Sequence, residues 1–342
     1  MTNASATKQA SHDQRGRESR IPDSRPSAAV LWQIGRHLLR SLLVLFLITV
    51  FAFGLIWMVP GNPASTLAGE FPSPEEVAAV EAKLGLDDPI PVQYGRWVGN
   101  AAQGDLGESL RSGRSVTDEI TSRLPVTLSL TLFAVVFGLL IALPLGTVAA
   151  LRRNSAIDRL LTVGSTVGVA TPSFFVGIIL VITVALNTSV FPATGYVGPT
   201  ENVGDWIRHC ILPGLSLGLV LGAELTRQIR SALIEVMQSD YIRTARAKGI
   251  SSQRVIAKHA YKNAAIPIVT ILGAQIAALV GGTIVIEQIF AMPGIGGLAI
   301  SAVRTQDIPV IQGIVLVVGA LVLIINTLVD LSYAFLDPRT RQ

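Results

Sequence analysis

Five long stretches of this chain contain no Asp, Glu, Lys or Arg, and they constrain its fold more than any other feature. They cover residues 41–59, 125–151, 160–186, 266–286 and 308–329. A helix of about 20 residues, rising about 1.5 Å per residue, crosses the roughly 30 Å hydrocarbon core of a bilayer. Each stretch is therefore long enough to span a membrane once. This excludes a soluble enzyme, a small disulfide-stabilised domain and a disordered chain.

The composition agrees with a chain that lies mostly in lipid. Charged residues make up 15% and hydrophobic residues 50% of the 342 residues, whereas soluble domains carry about 25% charged residues. The single cysteine, Cys210, cannot form an internal disulfide. The sequence contains no CxxC motif or His/Cys cluster that would indicate a metal site.

The first apolar stretch and one less obvious segment complete the predicted count of spans. The first apolar stretch follows an Arg-rich tail but exceeds the roughly 7–15 residues of a signal-peptide core, so we predict an uncleaved span. A less obvious fourth span runs from Ile211 to about Thr226, with Trp206 and Arg227 at interfacial positions. The prediction is an all-α, polytopic membrane protein with six transmembrane helices.

The distribution of basic residues predicts the orientation. With the N-terminus inside, 20 of the 27 Lys and Arg residues fall in cytoplasmic segments and 7 outside, as the positive-inside rule requires. Both termini are then cytoplasmic. The chain divides into a disordered basic tail, a first transmembrane helix, an extracytoplasmic segment with short helices, a five-helix core and a second cytoplasmic tail: residues 1–35, 36–60, 61–124, 125–336 and 337–342.

A helix start signal lies in the outer segment. Ser73 is placed as an N-cap, Pro74 suits the first helical position, and Glu76 completes a capping box. Gly85 follows Leu84 as a stop signal. The pattern predicts a short helix over 74–84.

The inner segment 227–265, between spans four and five, is the most distinctive part of the chain. Asp240 is placed to cap a short helix from Tyr241 to Lys248, which Gly249 ends in a left-handed conformation. A second helix is predicted to begin near Ser251. An ordinary basic cytoplasmic loop is the alternative interpretation.

The short helix is predicted to have two chemically different sides. Small residues that permit close approach of a partner are Ala245, Ala247 and Gly249. Basic residues that keep the other side solvated are Arg243, Arg246 and Lys248.

This loop resembles the corresponding loop of inner-membrane permease subunits of ATP-binding-cassette importers, in the dipeptide and oligopeptide branch. That branch typically reads Tyr-x-Arg-Thr-Ala-Arg-Ala-Lys-Gly, as residues 241–249 do. The general hallmark of such permeases, Glu-Ala-Ala followed by Gly, falls here on Arg243, Thr244, Ala245 and Gly249. Lys262 stands where the general consensus has proline, and the proline of this chain comes later, at Pro267.

Further runs similar to those permeases follow in the same order along the chain. They are Pro60-Gly61-Asn62-Pro63, Leu84-Gly85-Leu86-Asp87-Asp88-Pro89, Gly104-Asp105-Leu106-Gly107-Glu108-Ser109, Ala170-Thr171-Pro172-Ser173-Phe174, and the run from Glu287 to Gly296. The resemblance covers nearly the whole chain beyond residue 30.

The resemblance implies a type I importer permease fold in a bacterial inner membrane. It also implies three kinds of partner: a second related permease, two cytoplasmic ATPase subunits and an extracytoplasmic solute-binding protein. Contact with the ATPase would involve Tyr241, Arg243, Thr244, Ala245, Arg246, Ala247, Lys248 and Gly249. No GxxxxGK[ST] motif occurs in the sequence, so ATP and Mg²⁺ are expected on the partner subunits, and this chain is expected to be neither an enzyme nor a holder of a cofactor.

Four residues are candidates for the translocation pathway or a gate: Glu287, Asn326, Pro172 and Phe174. Glu287 is the acid placed well inside an apolar run, where a lone carboxylate is costly. Its alternative role is that of a helix-end residue hydrogen-bonded to the turn over 293–297.

Other residues have structural interpretations. Glu224 is expected to pair within its helix with Arg227 and Arg230. Breaks or bends are expected in spans two, three and four at Pro144, Pro172 and Pro213, and in span five at Gly281-Gly282.

The substrate stays open at this point, because the peptide branch also includes nickel and glutathione permeases. A secondary transporter driven by ions is a different class, and it would need ionisable residues inside the spans. An intramembrane enzyme is disfavoured because no nucleophile, base or metal-ligand set converges in the sequence.

Overall fold

The computed structural model describes residues 28–57, 64, 73–85 and 87–336. Within these ranges the chain is almost entirely helical. We number the helices α1 (Ala28–Gly54), α2 (Pro74–Leu84), α3 (Ile90–Ala102), α4 (Val116–Leu151), α5 (Ala156–Ala170), α6 (Ser173–Ala185), α7 (Val203–Met237), α8 (Asp240–Ala247), α9 (Ser252–Gly282), α10 (Ile284–Ile289), α11 (Ile295–Arg304) and α12 (Ile308–Leu336). Residues 1–27 and 337–342 of the predicted tails and the Pro60–Pro63 motif lie outside the described residues. Residues 28–35, which were predicted to belong to the disordered tail, are helical and form the start of α1, so that part of the prediction is wrong.

The centre of the fold is the long pairing of α4 with α7. Glycines bring the two backbones close together: a Cβ atom added at Gly218 would lie 2.6 Å from Cβ of Phe137, and one at Gly138 would lie 2.8 Å from Leu221. Small residues at such an interface allow the dense packing that holds membrane helices together. The pair therefore forms the rigid axis on which the other helices pack.

The remaining helices pack around this axis in two groups. α5 and α6 lie against α7, while α12 packs against α9 and α1. One cluster of buried apolar residues joins α4, α7 and α9 and includes Leu225, Ile229 and Ala264. A second, around Leu130 and Phe290, joins α4, α7 and α10.

Four described helices are long and apolar enough to cross a bilayer: α4, α7, α9 and α12. A fifth span is formed if α5 and α6, which meet at a 94° bend, are counted together. The described apolar part of α1, Leu39–Gly54, is shorter.

All four predicted sites of interruption lie within described helices or at their ends. The bend at Pro172 and the end of α9 at Gly281-Gly282 are confirmed. Pro144 lies inside α4 and Pro213 inside α7, both of which continue through the proline, so the predicted breaks there are wrong. Each proline removes one helical hydrogen bond, and the packing of α4 against α7 over their length outweighs that loss.

The boundaries of the spanning helices also differ from those expected. α7 extends from Val203 to Met237, so the first part of the predicted inner segment 227–265 is a continuation of span four. α4 begins at Val116, inside the predicted outer segment. The predicted helix over 74–84 is confirmed, with Pro74 as its first residue and Gly85 at a φ of 65°.

Candidate functional site

The short helix α8 begins one residue earlier than the sequence indicated. Ser239 is the N-cap, with extended φ and ψ of −70° and 151°, and Asp240 is already the first helical residue. The prediction that Asp240 caps the helix is therefore wrong by one position. Asp240 instead places its carboxylate in the first turn, where the partial positive charge of the helix N-terminus favours it.

The end of α8 has the geometry of a Schellman motif. Gly249 has a φ of 77°, and its N–H donates to the carbonyl of Arg246 at 2.9 Å. The N–H of Ile250 donates to the carbonyl of Ala245 at 3.3 Å. These two bonds satisfy carbonyls that a helix end would otherwise leave open. The predicted left-handed stop at Gly249 is confirmed.

One side of α8 is fixed to the rest of the chain by a small apolar cluster. Ile242 is 0% exposed and Ala245 is 7% exposed, and both pack with Val255 of α9. Val236 and Met237, at the end of α7, complete the cluster. α8 is therefore attached to the inner ends of both α7 and α9.

This arrangement changes the role expected of Ala245. It faces the chain's own apolar cluster and is not open to a partner. The surface that remains exposed, here called the α8 outer face, consists of Tyr241, Arg243, Thr244, Arg246, Ala247, Lys248 and Gly249. It combines two positions without a bulky side chain, Ala247 and Gly249, with basic residues.

Glu287 lies in α10 and is 1% exposed. Its Oε1 accepts hydrogen bonds from the Thr127 and Thr283 hydroxyls, both at 2.8 Å, and its Oε2 accepts from the Gly297 N–H at 3.0 Å. The Thr127 hydroxyl also accepts from the Ile295 N–H at 3.0 Å. One carboxylate thus joins α4, the end of α9 and the first turn of α11, and the expected bond to the 293–297 turn is present.

Two glycines of the same turn make room for that carboxylate. A Cβ added at Gly294 would lie 2.3 Å from Cδ of Glu287, and one at Gly296 would lie 2.9 Å from its Oε2. Any other residue at these positions would displace the carboxylate, because contacts below about 3 Å are repulsive. The spacing of Glu287 and the Pro-Gly-Ile-Gly run is explained by this contact.

The other pathway candidates occupy separate places. Pro172 stands at the 94° bend and Phe174, in the first turn of α6, is exposed. α6 packs on α10, since a Cβ added at Gly177 would contact Ile286 at 3.3 Å. Asn326 is exposed on α12. At a rise of about 1.5 Å per residue it lies about 27 Å along the helix axis from the first residue of α12. The structure thus brings α6 to the element that carries Glu287 and leaves Asn326 nearer the other end of the bundle.

Comparison with known families agrees with this architecture. Residues 142–342, more than half of the chain, match the model of the family described as binding-protein-dependent transport system inner membrane component. Residues 30–131 match the N-terminal model of the same systems. The chain belongs to this family of permeases.

Curated relatives cover nearly the whole permease. A putative peptide transport system permease protein of Brucella abortus is 40% identical over 306 residues, covering 90% of this chain and 98% of that protein. The dipeptide transport system permease protein DppB of Alkalihalophilus pseudofirmus is 40% identical over 90% of this chain and 98% of that protein. The oligopeptide transport system permease protein AppB of Bacillus subtilis is 39% identical, over 89% and 97% respectively.

A solved structure shows the same fold. The methionine ATP-binding-cassette transporter MetNI, in an inward-facing conformation, aligns with a TM-score of 0.52 and 18% identity, covering 62% of this chain and 93% of that chain. The permease is therefore a multi-pass protein of the bacterial inner membrane with the fold of a transporter permease, and it is a transport component rather than a catalytic subunit.

The permease also contains an ion pair that the sequence analysis missed. Arg230 of α7 donates to both carboxylate oxygens of Asp158, from Nε at 2.6 Å and Nη2 at 2.8 Å, and Asp158 is 3% exposed. The backbone N–H of Asn154 donates to the same carboxylate at 2.8 Å. Glu224 pairs with Arg227 at 2.8 Å as expected, but its predicted pairing with Arg230 is replaced by this contact.

A second missed group lies at the opposite end of the permease. Asp307, just before α12, is buried and accepts from the Ser109 hydroxyl at 2.5 Å and from the Leu110 N–H at 3.1 Å. Ser109 closes the Gly104–Ser109 run that the sequence analysis singled out. The function of that run is therefore partly structural: it attaches the segment before α4 to the start of α12.

Proposed function

We propose that this permease is one of two membrane subunits of an ATP-binding-cassette importer for di- or oligopeptides, with six spans and both termini in the cytoplasm. The names of the curated relatives support a peptide substrate. The observation that carries the coupling role is the geometry of α8: one face is buried in the chain and the opposite face is exposed.

The attachment of α8 explains how a partner could act on the membrane helices. Its apolar cluster contains Val236 and Met237 from α7 and Val255 from α9. A force on the α8 outer face therefore acts on both spanning helices at once, because packed apolar side chains transmit displacement with little compression. Movement of a cytoplasmic ATPase would then shift α7 and α9 between inward-open and outward-open arrangements.

The proposed partners follow from what the chain itself does not provide. Two cytoplasmic ATPase subunits bind ATP and Mg²⁺ and hydrolyse the nucleotide, and a second permease supplies the other half of the pathway. An extracytoplasmic solute-binding protein delivers the peptide. Arg243, Arg246 and Lys248 on the α8 outer face lie at the ATPase interface.

The pathway and its gate are proposed from the remaining candidates. The bend at Pro172 exposes Phe174 and gives span three a change of direction within the membrane. Glu287 holds α10 and α11 to α4 and is proposed as the residue that positions the gate. Asn326 adds a polar side chain to the exposed surface of α12 toward the cytoplasmic end.

Replacement of Gly249 by Leu tests the coupling role in the assembled importer. The left-handed backbone of Gly249 disfavours any residue with a side chain. An added Cβ would meet no atom of this chain within 4 Å. A leucine side chain at this position therefore projects from the α8 outer face toward the ATPase. Gly113→Leu is the matched control, since Gly113 also has a positive φ and open space but lies in the outer segment. We expect Gly249→Leu to abolish ATP-dependent peptide uptake by proteoliposomes while Gly113→Leu retains it.

Normal uptake by Gly249→Leu, with the ATPase subunits still co-purifying, would contradict the coupling role. Uptake driven by an ion gradient without ATPase subunits would instead indicate a secondary transporter. Substrate class is tested separately by binding of labelled dipeptides, oligopeptides, glutathione and Ni²⁺ to the isolated solute-binding protein, where binding of Ni²⁺ or glutathione alone would overturn the peptide assignment.

A further inference from the structure

A cavity of about 540 Å³ lies between α1, the end of α9, α11 and α12. Its walls include Leu47 and Phe51 of α1, Gly281 of α9, Gly296 and Ala299 of α11, and Val315 of α12. All the residues that line it are Ala, Gly, Ile, Leu, Phe or Val. The cavity therefore offers no side chain that could hydrogen-bond to a peptide, an ion or ordered water.

The cavity is open toward an exposed apolar side of α1. Leu47 is 56% exposed and Phe51 is 59% exposed, and both also line the cavity. In an inner-membrane protein such apolar side chains face the hydrocarbon of the bilayer. The cavity is thus a groove that opens on the exposed apolar side of α1.

The depth of the groove places it beside acyl chains rather than headgroups. Its α12 residues run from Ile314 to Gly319, about 9 to 17 Å along the helix from its start at 1.5 Å per residue. In the proposed orientation this is the outer leaflet of the bilayer, well inside the hydrocarbon core of about 30 Å.

The volume favours one flexible chain over a helix. At about 30 Å³ for a group the size of a water molecule, 540 Å³ holds about 18 such groups, and a methylene group is of similar size. A helix about 10 Å across would place only about one turn in the same volume. A fatty acyl chain therefore fits the groove better than a transmembrane helix of a partner.

We propose that the groove binds one acyl chain of an outer-leaflet phospholipid. The acyl chain lies between α1 and α11 and contacts α11 at its first turn. Gly296 connects the two sites: it lines the groove, and it is also the position where an added Cβ would lie 2.9 Å from the Glu287 carboxylate. The lipid and Glu287 thus both stabilise the start of α11.

Adjacent glycines at the end of α9 provide a matched pair for the test. An added Cβ at Gly281 or Gly282 would meet no atom within 4 Å, and both glycines occupy the same helix end. Gly281 lines the groove, whereas Gly282 does not belong to its lining. Gly281→Leu therefore fills the groove, and Gly282→Leu controls for the loss of glycine and the added bulk.

The experiment uses the full permease with its partner subunits in nanodiscs of phosphatidylethanolamine and phosphatidylglycerol. A fraction of the phosphatidylethanolamine carries a photoreactive diazirine in its acyl chain, and crosslinked peptides are mapped by mass spectrometry. We expect labelling of the groove segments of α1, α9 and α12. Gly281→Leu should reduce this labelling about tenfold, which is roughly the effect of displacing two methylene groups from the groove. Gly282→Leu should leave the labelling unchanged.

Equal labelling of the wild-type permease and Gly281→Leu would overturn the proposal. If Gly281→Leu fails to assemble, Ala299→Leu fills the groove from α11, and unchanged labelling in that variant has the same meaning. A photoreactive amino acid at position 281 distinguishes a protein occupant. Its crosslinking to a partner subunit in place of lipid would also refute the proposal.

Discussion

Glu287 shows how one buried side chain can hold several elements together. Its carboxylate accepts three hydrogen bonds, from Thr127, Thr283 and Gly297. In Glu287→Ala these three donors lose their partner inside the protein, at about 1 kcal/mol or more each. We expect a loss of about 3 kcal/mol in stability, measured by thermal unfolding of the purified permease, together with reduced uptake.

The matched control is Glu108→Ala, because the Glu108 side chain is exposed. The stability of this variant should lie within about 0.5 kcal/mol of that of the wild-type permease. Equal effects of the two replacements would mean that the Glu287 contacts contribute little to the fold.

Two arginines three residues apart on α7 allow a similar comparison. Arg230 contacts the buried Asp158 with two donors, whereas Arg227 contacts Glu224 and is largely exposed. Loss of one partner of a buried pair costs about 3–5 kcal/mol, and the partial exposure of Arg230 reduces this to about 2 kcal/mol. We therefore expect Arg230→Ala to lower the unfolding temperature clearly and Arg227→Ala to change it little.

A double-mutant cycle with Asp158→Ala completes that test. If the two residues interact as described, the double variant should lose much less stability than the sum of the losses in the two single variants. Additive losses would show that Arg230 acts independently of Asp158.

The sequence could identify these residues only in part. Glu287 stands out because it is an acid in an apolar run, but one of its partners, Thr127, is 160 positions away. Asp158 and Arg230 are separated by 72 positions. The sequence-based prediction considered only neighbours in the same helix, so it assigned Arg230 to Glu224, six residues away. The contact that forms instead depends on how the helices cross.

At the scale of helices, α8 depends on Ile242 for its attachment. Ile242 is fully buried between the ends of α7 and α9. Removing such a side chain costs about 2–4 kcal/mol in a packed core, and here the loss falls on one short helix. We expect Ile242→Ala to increase amide hydrogen exchange over residues 238–251 while the spans stay protected.

Arg243→Ala is the control for that measurement, because Arg243 is adjacent to Ile242 and exposed. It should leave the exchange of α8 unchanged. Unchanged exchange in Ile242→Ala as well would mean that the apolar cluster does not hold α8 in place.

Sequence patterns predicted the turns better than the helices between them. Gly249 and Pro172 restrict their own backbone, so their effect could be anticipated from local chemistry. Pro144 and Pro213 did not break their helices, because packing between α4 and α7 decides the outcome. A signal for that packing was present: Gly214, Gly218 and Gly222 recur at intervals of four, as at close helix contacts in membranes.

For the whole molecule, the proposed orientation can be tested with single cysteines. Cys210 is buried and is replaced by Ala to give a background without reactive thiols. Ser112 and Ser252 are exposed and lie at opposite ends of the bundle. We expect Ser112→Cys to react with a membrane-impermeant maleimide from the outer side of the inner membrane, and Ser252→Cys only after the membrane is opened.

The reverse labelling pattern would contradict cytoplasmic termini. The overall class of the protein was predictable because the bilayer imposes one length and one polarity on every span. That same criterion defines only the part of a helix inside lipid. It therefore located the centre of α7 but could not indicate that the helix continues to Met237.

The length of α7 has a mechanical consequence. Its 35 residues make a rod about 52 Å long, roughly 20 Å longer than the hydrocarbon core. α8 is attached at the inner end of this rod, so it stands away from the membrane on a long lever. A tilt of about 10° about the outer end would move α8 sideways by about 9 Å. A small tilt of α7 near the outer surface therefore produces a large displacement of α8 where it meets the ATPase.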